Sequence, residues 1–187
     1  MDASEIKRLL SSAKKPWDSR HQRSQGFYAL FLKPGCNIPG LAIGDGRLLY
    51  IGDAENGRSP SDHFSQSNIH TRPSMLRRCL GALLHEELDL LAAPLARKRR
   101  ILPQPPAFTF DVDSEDRLSA WMNASIDVAF VPHEEGASVA RWMLVSTLQP
   151  PLNFHGWRNP QEKYVRRLKR KCLKTASGFR VPSFRAA

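Results

Sequence analysis

Two segments of the chain have the composition of β-strands and are joined by a glycine-rich connection. The first, GFYALFL at 26–32, ends at a Lys-Pro-Gly turn, and the second, RLLYIG at 47–52, follows a loop with several glycines. Two such runs, separated by turn residues, are predicted to pair as a hairpin. The fold must therefore accommodate an antiparallel pair of strands near the beginning of the chain.

The remainder of the chain alternates between helical and extended patterns. Ser4 and Ser74 are candidate helix caps, and prolines end several other elements. This order of elements predicts an α/β fold, a small sandwich in which a central, mostly antiparallel or mixed β-sheet is flanked by helices. Helices are predicted at about 4–14, 59–66, 74–88, 116–124 (opened by Ser114), 137–148 and 160–174, and further strands at 108–113 and 126–132.

The chain is long enough for one domain. Its 187 residues can bury a core without disulfides or a structural metal. Three parts are predicted: an N-terminal helix and linker over 1–25, the main domain over 26–160, and a basic C-terminal helix and tail over 161–187. No apolar run is long enough to cross a bilayer, and the start lacks the features of a secretory signal. We therefore expect a cytoplasmic protein without a membrane partner.

The positive charge of the chain is concentrated near its end. The net charge is +10 at pH 7, which favours a polyanionic partner because Lys and Arg can replace the cations condensed on phosphates. The stretch 158–187 holds ten basic residues against one acid, Glu162. We predict that this region binds nucleic acid. The residues expected to contact it are Arg166, Arg167, Lys169, Arg170 and Lys171.

An ordered set of motifs runs through the main domain. It consists of GFY at 26–28, YIG at 50–52, Arg58 and His63, the LRRCLGALL helix at 76–84, and PPLN at 150–153. In this order the residues resemble the GIY-YIG nuclease family, over roughly 26–160. The resemblance implies the GIY-YIG fold and a DNA endonuclease that hydrolyses phosphodiesters with Mg²⁺ or Mn²⁺. It also implies a nucleic-acid partner, DNA in preference to RNA.

The same resemblance implies a catalytic role for four residues. Members of the family place two tyrosines beside the scissile phosphate, with an arginine that stabilises its charge and a histidine that assists proton transfer. The corresponding residues are Tyr28, Tyr50, Arg58 and His63. Tyrosine or histidine can accept a proton from an attacking water, and arginine offers forked donors to phosphate oxygens.

Two positions depart from the family's pattern. The family's arginine usually precedes the histidine by four residues, whereas Arg58 is displaced by one, which would rotate it by about 100° on a helix. The family's metal-binding glutamate usually lies twelve residues before the asparagine of PPLN, where this chain has Arg141 before Asn153. Because a cation there reverses the sign of the site, we expect no divalent ion at that position.

The sequence leaves the function open between three alternatives. The first is an endonuclease with a divalent metal, for which no ligand is assigned. A second is a catalytically inactive module that needs no cofactor and binds nucleic acid through Arg141, Arg58 and the basic tail; Asn153 is also expected to contact nucleic acid. The third is a subunit of a larger assembly, with protein partners that the residues do not identify. Tyr28 and Tyr50 are also compatible with a purely structural role as aromatic residues of the core.

Overall fold

The computed structural model describes residues 3–18, 25–54, 60–64, 74–94, 107–133 and 137–178. Helices are α1 (Ala3–Ser12), α2 (Ser61–Phe64), α3 (Met75–Leu84), α4 (Val112–Ser125), α5 (Ala137–Leu148) and α6 (Glu162–Gly178). Strands are β1 (Lys15–Pro16), β2 (Gly26–Leu32), β3 (Leu48–Ala54), β4 (Ala92–Pro94), β5 (Phe108–Phe110) and β6 (Ile126–Pro132).

The main sheet has four strands in the order β1-β6-β2-β3, and each neighbouring pair is antiparallel. A second, two-stranded sheet pairs β4 with β5. The predicted hairpin is confirmed as β2 and β3, and the predicted strand at 126–132 is confirmed as β6. β6 lies beside β2 and separates it from β1, which places the hairpin at one side of the sheet.

Hydrophobic clusters cover both faces of the sheet. Successive residues of a strand point to opposite faces, and β2 is buried along its whole length. Tyr28 and Leu30 belong to a larger cluster, whereas Phe27 and Ala29 belong to a smaller one. β2 is thus the strand around which both halves of the core are built.

Helices cover each of these clusters, which makes the fold a sandwich. Leu80 of α3, Leu118 of α4 and Val165 of α6 lie in the larger cluster, and each is fully buried. Leu10 of α1 and Leu144 of α5 lie in the smaller cluster. Burial of one such side chain contributes roughly 1.5–3 kcal/mol relative to its exposure to water. The predicted α/β sandwich with an antiparallel sheet and flanking helices is confirmed.

The segment 108–113 was predicted as one strand, and this prediction is wrong in its second half. The strand β5 ends at Phe110, and Asp111 caps α4 by accepting a hydrogen bond from the Ser114 backbone N–H at 2.9 Å. Because the carboxylate bonds to a backbone N–H of the first helical turn, the chain starts a helix here and does not continue the hydrogen bonds of the strand. Ser114 therefore lies inside the helix that it was predicted to open.

The ends of three other helices also differ from the prediction, and α6 spans Glu162–Gly178 where 160–174 was predicted. α1 begins at Ala3, so that Ser4 lies within the helix and is not its cap. α3 ends at Leu84, four residues earlier than predicted, although Ser74 is confirmed as its cap. Met75, which was assigned to the apolar face of α3, is 51% exposed.

The basic helix α6 is packed against the rest of the fold. Val165, Cys172 and Ala176 are buried, and they join the larger cluster. Burial raises the pKa of the Cys172 thiol to about 11, so that it stays protonated at neutral pH. The predicted domain boundary at residue 160 stays a prediction. Within the described segments, no helix has both the length and the apolarity that crossing a bilayer requires.

Candidate active site

Two tyrosines lie side by side on the sheet face that carries the larger cluster. Tyr28 is paired with Gly52, and Leu30 is paired with Tyr50. This register makes the tyrosines diagonal neighbours on adjacent strands. Their ring centroids are 6.1 Å apart. Tyr28 is buried and Tyr50 is half-buried, so that Tyr50 is the more accessible of the two.

Gly52 is the residue that leaves room for the Tyr28 ring. A Cβ atom at position 52 would overlap with both Cζ and the hydroxyl oxygen of Tyr28. Gly52 lies within β3 and has no positive φ angle. The glycine of the YIG motif is therefore required by the close approach of the tyrosine ring and not by backbone conformation.

Replacement of Gly52 by alanine is expected to displace the Tyr28 ring and to destabilise the fold by about 1–3 kcal/mol, because it overpacks a filled space. Urea denaturation of the variant measures this loss. Gly44→Ala is the matched control, since a Cβ at Gly44 would meet no atom within 4 Å. Equal stabilities of the two variants would contradict the proposed packing.

His63 joins the two tyrosines through its ring. Its Nε2 lies 2.7 Å from the Tyr28 hydroxyl oxygen, and its Nδ1 lies 2.7 Å from Ser74 Oγ. The His63 ring centroid is 5.8 Å from that of Tyr50. Ser74 Oγ also accepts a hydrogen bond from the Arg77 backbone N–H at 3.1 Å, as the cap of α3. We call Tyr28, His63 and Ser74 the hydrogen-bonded triad.

A proton can pass between Tyr28 and His63 of the triad. If His63 carries its proton on Nδ1, it donates to Ser74 Oγ, and its Nε2 is then free to accept the hydroxyl proton of Tyr28. In the other tautomer Ser74 donates to Nδ1 and Nε2–H donates to Tyr28. Only the first arrangement lets Tyr28 pass its own proton to His63 while it receives another.

His63 is a neutral base in the folded protein. Burial, reinforced by the positive charge of Arg77, lowers the pKa of His63 from 6.5 to about 4. Both causes disfavour the imidazolium. At neutral pH the ring therefore has one nitrogen available as an acceptor.

The lowered pKa of His63 predicts a loss of stability in mild acid. The unfolded chain takes up the proton near pH 6.5 and the folded chain only near pH 4, so the stability present above pH 6.5 is lost as the pH falls towards 4. The difference corresponds to about 3 kcal/mol. Urea denaturation of wild type and His63→Gln at several pH values separates this contribution from that of the carboxylates. If the free energy of unfolding changes with pH in the same way for both proteins, His63 is not the source of the loss of stability.

A buried ion pair holds the backbone of His63. Arg77, 1% exposed, donates from Nη1 to the His63 carbonyl oxygen at 3.0 Å and from Nη2 to Glu115 Oε2 at 2.7 Å. The same Nη2 lies 3.0 Å from Ser119 Oγ. Glu115 is 2% exposed, so that both charges are removed from water. α4 is thereby connected through Arg77 to the histidine of the triad.

A second ion pair lies on the opposite side of the sheet. Asp53 is paired with Phe27 in the strand register, which places it on the face that α5 covers. Arg141 of α5 has its Nε 3.3 Å from Asp53 Oδ1. Since this buried Nε makes no hydrogen bond of good geometry, the contact is an ion pair held by charge. The side chain of Asp53 is only 8% exposed.

The family model for the GIY-YIG catalytic domain matches residues 26–174, which is well over half of the chain. The chain belongs to the GIY-YIG family. The match begins at the first residue of β2 and extends through most of α6. Comparisons with curated proteins and with solved structures gave no match.

Three of the four catalytic residues predicted for this GIY-YIG domain lie together in the structure. Tyr28, Tyr50 and His63 form one cluster of rings, with centroids 5.8–6.1 Å apart. Arg58, the fourth, lies outside the described residues. Ser74 and Arg77 were not assigned to the site from the sequence, although both contact His63.

Arg141, which the residue spacing predicts at the family's metal position, does not fit a divalent cation. It is paired with Asp53, on the sheet face opposite to the two tyrosines. A guanidinium repels a cation and occupies the nearest carboxylate. Across the ranges that the structure describes, no group of three or more His, Cys, Asp or Glu residues could hold a metal ion.

Asn153 has a structural position. Its Oδ1 accepts a hydrogen bond from the Ile51 backbone N–H, and its Nδ2 donates to the Ile51 carbonyl oxygen, both at 2.9 Å. The side chain is 4% exposed. The PPLN segment is thus tied to β3 at Ile51, the middle residue of the YIG motif. The side chain is bonded at both ends, and its predicted contact with nucleic acid stays a prediction.

The predicted nucleic-acid-binding cations of α6 have different surroundings. Arg166 is paired with Glu162, and Lys171 is paired with Glu86. The Arg167 guanidinium carbon lies 5.3 Å from the centroid of the Tyr164 ring. Lys169 and Arg170 face a cleft that α6 forms with α3 and β5. The basic helix therefore presents its cations in distinct groups.

Proposed function

We propose that this GIY-YIG domain hydrolyses phosphodiester bonds in nucleic acid, as an endonuclease that acts on DNA in preference to RNA. The hydrogen-bonded triad carries the proposal, because Tyr28 O and His63 Nε2 are 2.7 Å apart. Membership of the GIY-YIG family and the net charge of +10 support nucleic acid as the substrate.

The chemistry is that of a proton relay. The oxygen of a water molecule attacks phosphorus, and one of its protons passes to the Tyr28 oxygen while the Tyr28 hydroxyl proton passes to His63 Nε2. The phosphorus–oxygen bond to the leaving group breaks, and that oxygen takes a proton from solvent. Ser74 holds the His63 ring by its Nδ1, and Tyr50 lines the same surface. His63 then releases its proton to solvent.

The low pKa of His63, about 4, sets a condition on this relay. A general base works best when its pKa lies near the operating pH. A bound phosphodiester brings negative charge towards the Tyr28–His63 pair, and a nearby anion raises the pKa of a histidine. The histidine is therefore a weak base in the free protein and a stronger one with substrate present.

A cleavage assay on purified protein tests the proposal. Labelled branched, linear and single-stranded DNA are incubated with Mg²⁺, with Mn²⁺ and with EDTA, and the products are resolved on denaturing gels. Cleavage by wild type, with none by a Tyr28→Phe protein purified in the same way, is the expected result. Absence of cleavage of every substrate, or equal cleavage by both proteins, would overturn it.

A second candidate function, nucleic-acid binding without catalysis, is favoured by one observation. Arg141, which the residue spacing predicts at the family's metal position, is held in an ion pair with Asp53, and a guanidinium there would exclude a divalent cation. Binding would then weaken steeply with salt and be indifferent to EDTA. Fluorescence anisotropy with a labelled oligonucleotide measures both properties. Binding that is absent or insensitive to salt would exclude this candidate.

A further inference from the structure

A cleft of about 330 Å³ lies between α3, β5 and α6. Its volume is near the lower end of the ~300–1,000 Å³ range that is usual for small-ligand sites. Four of its described lining residues are cations, namely Arg78, Arg166, Lys169 and Arg170. The others are apolar and include Phe108 and Leu173. None belongs to the hydrogen-bonded triad. We call this feature the basic cleft.

The charge of the basic cleft is largely uncompensated. Among its lining residues that the structure describes there is no carboxylate, and only Arg166 has an acidic partner, Glu162, outside the cleft. Lys169 Nζ has the Met75 sulfur as its hydrogen-bond acceptor, at 3.0 Å. A thioether is a weak acceptor for an ammonium group. Arg78 has a buried Nε with no hydrogen-bond partner.

This arrangement destabilises the charged form of Lys169. Burial lowers the pKa of Lys169, and the positive charges of Arg78 and Arg166 lower it further, although Cys79 acts in the opposite direction. Like charges held together in a partly desolvated cleft are unfavourable without a counter-ion. A bound anion would satisfy the unpartnered donors and remove the repulsion.

We propose that the basic cleft binds a phosphate group at a second site, separate from the tyrosine surface. Guanidinium groups present forked donors that match phosphate oxygens, and lysine adds a point charge. The apolar wall formed by Phe108 and Leu173 limits competition from water. The phosphate can come from a nucleic-acid backbone or from a free nucleotide. Nucleic acid as the source of the phosphate rests on the proposed nuclease function.

The basic cleft and the active site are built on the same helix. Arg77 reaches towards Glu115 of α4, whereas Arg78 reaches towards α6, because adjacent helical residues point about 100° apart. A nucleic-acid strand held in the basic cleft would therefore be fixed to α3, the helix whose cap, Ser74, bonds to His63. The second phosphate site would thus fix the position of the substrate relative to the triad.

Fluorescence anisotropy of charge-neutralised variants tests the proposal. Lys169→Gln and Arg78→Gln are compared with Lys174→Gln, which makes the same change at an exposed lysine of α6 that does not line the cleft. The probes are a labelled single-stranded oligonucleotide, a labelled duplex and a labelled mononucleotide. Each cleft variant is expected to weaken binding by about five- to tenfold and to reduce the slope of log Kd against log salt by about 1. Lys174→Gln should change Kd less than about twofold.

Charge and folding are separated by two further measurements. Lys169→Arg keeps the charge and is expected to keep wild-type affinity, and thermal denaturation shows whether each variant is folded. Weaker binding of the oligonucleotides identifies a nucleic-acid phosphate, and weaker binding of the mononucleotide alone identifies a free phosphate. If the cleft variants match Lys174→Gln with all three probes, the proposal is overturned. Tyr28→Phe, which should bind like wild type without cleaving, distinguishes failure of the nuclease proposal from failure of this one.

Discussion

Replacement of Glu115 by alanine is expected to destabilise the protein by about 3–5 kcal/mol. The exchange leaves the Arg77 guanidinium, 1% exposed, without its charged partner in the core. Arg77 Nε already lacks a hydrogen-bond partner, and the contacts that remain, with neutral oxygen and sulfur atoms, cannot replace the charge of the carboxylate. A loss of this size is a large part of the ~5–15 kcal/mol that stabilises a typical domain.

Urea denaturation followed by circular dichroism measures this effect. Glu162→Ala is the matched control, because it removes the carboxylate of an exposed pair with Arg166, whose side chain is 63% exposed. Such a pair contributes about 0–1 kcal/mol. A double variant, Arg77→Met with Glu115→Leu, should be more stable than either single exchange, since neither charge is left buried alone. A loss below about 1 kcal/mol for Glu115→Ala would show that the pair is not held in the core.

Removal of the Tyr28 hydroxyl is expected to lower the rate of phosphodiester hydrolysis by about 10²–10⁴-fold. Phenylalanine keeps the ring that packs over Gly52 and removes only the oxygen that bonds to His63 Nε2. Binding of nucleic acid should therefore be retained while the rate falls. His63→Gln should reduce the rate by a similar factor, because it removes the group that accepts the Tyr28 proton.

Single-turnover cleavage with saturating protein measures the rate separately from binding. Tyr164→Phe is the matched control, as it deletes the hydroxyl of a tyrosine on α6 that lies outside the triad. It should cleave at the wild-type rate. Combining Tyr28→Phe with His63→Gln should lower the cleavage rate little more than either change alone if the two residues act in one relay. Multiplicative losses in the double variant would contradict a shared proton path.

Local patterns in the sequence predicted most of the fold. The runs at 26–32 and 126–132 are bounded by turn residues or proline, and the structure has strands with those same limits. β1 and β4 contain two and three residues, which is too short for a pattern to emerge. Their existence depends on partners far along the chain, β6 for β1 and β5 for β4.

The residues of the candidate site also fall into those that local sequence patterns predict and those that depend on distant partners. The resemblance to the GIY-YIG family, which rests on the order of the tyrosine and histidine motifs, predicted that Tyr28, Tyr50 and His63 belong to one site. Arg77 was not assigned to the site because it stands beside a second arginine, Arg78, on α3, and its burial depends on Glu115 of a distant helix. An arginine within an apolar face was a usable signal for a buried ion pair. The partnership of Asp53 and Arg141 had no comparable signal, since it requires knowledge of how α5 lies on the sheet.

The Asp53–Arg141 pair couples the two positions in any redesign of this protein. A single exchange, Arg141→Glu, would bring a second carboxylate against one whose side chain is 8% exposed, and like charges at that range repel strongly. Neutralising Asp53 alone would instead leave the arginine without its counter-charge. A new charge at position 141 therefore needs a compensating exchange at position 53 if stability is to be kept.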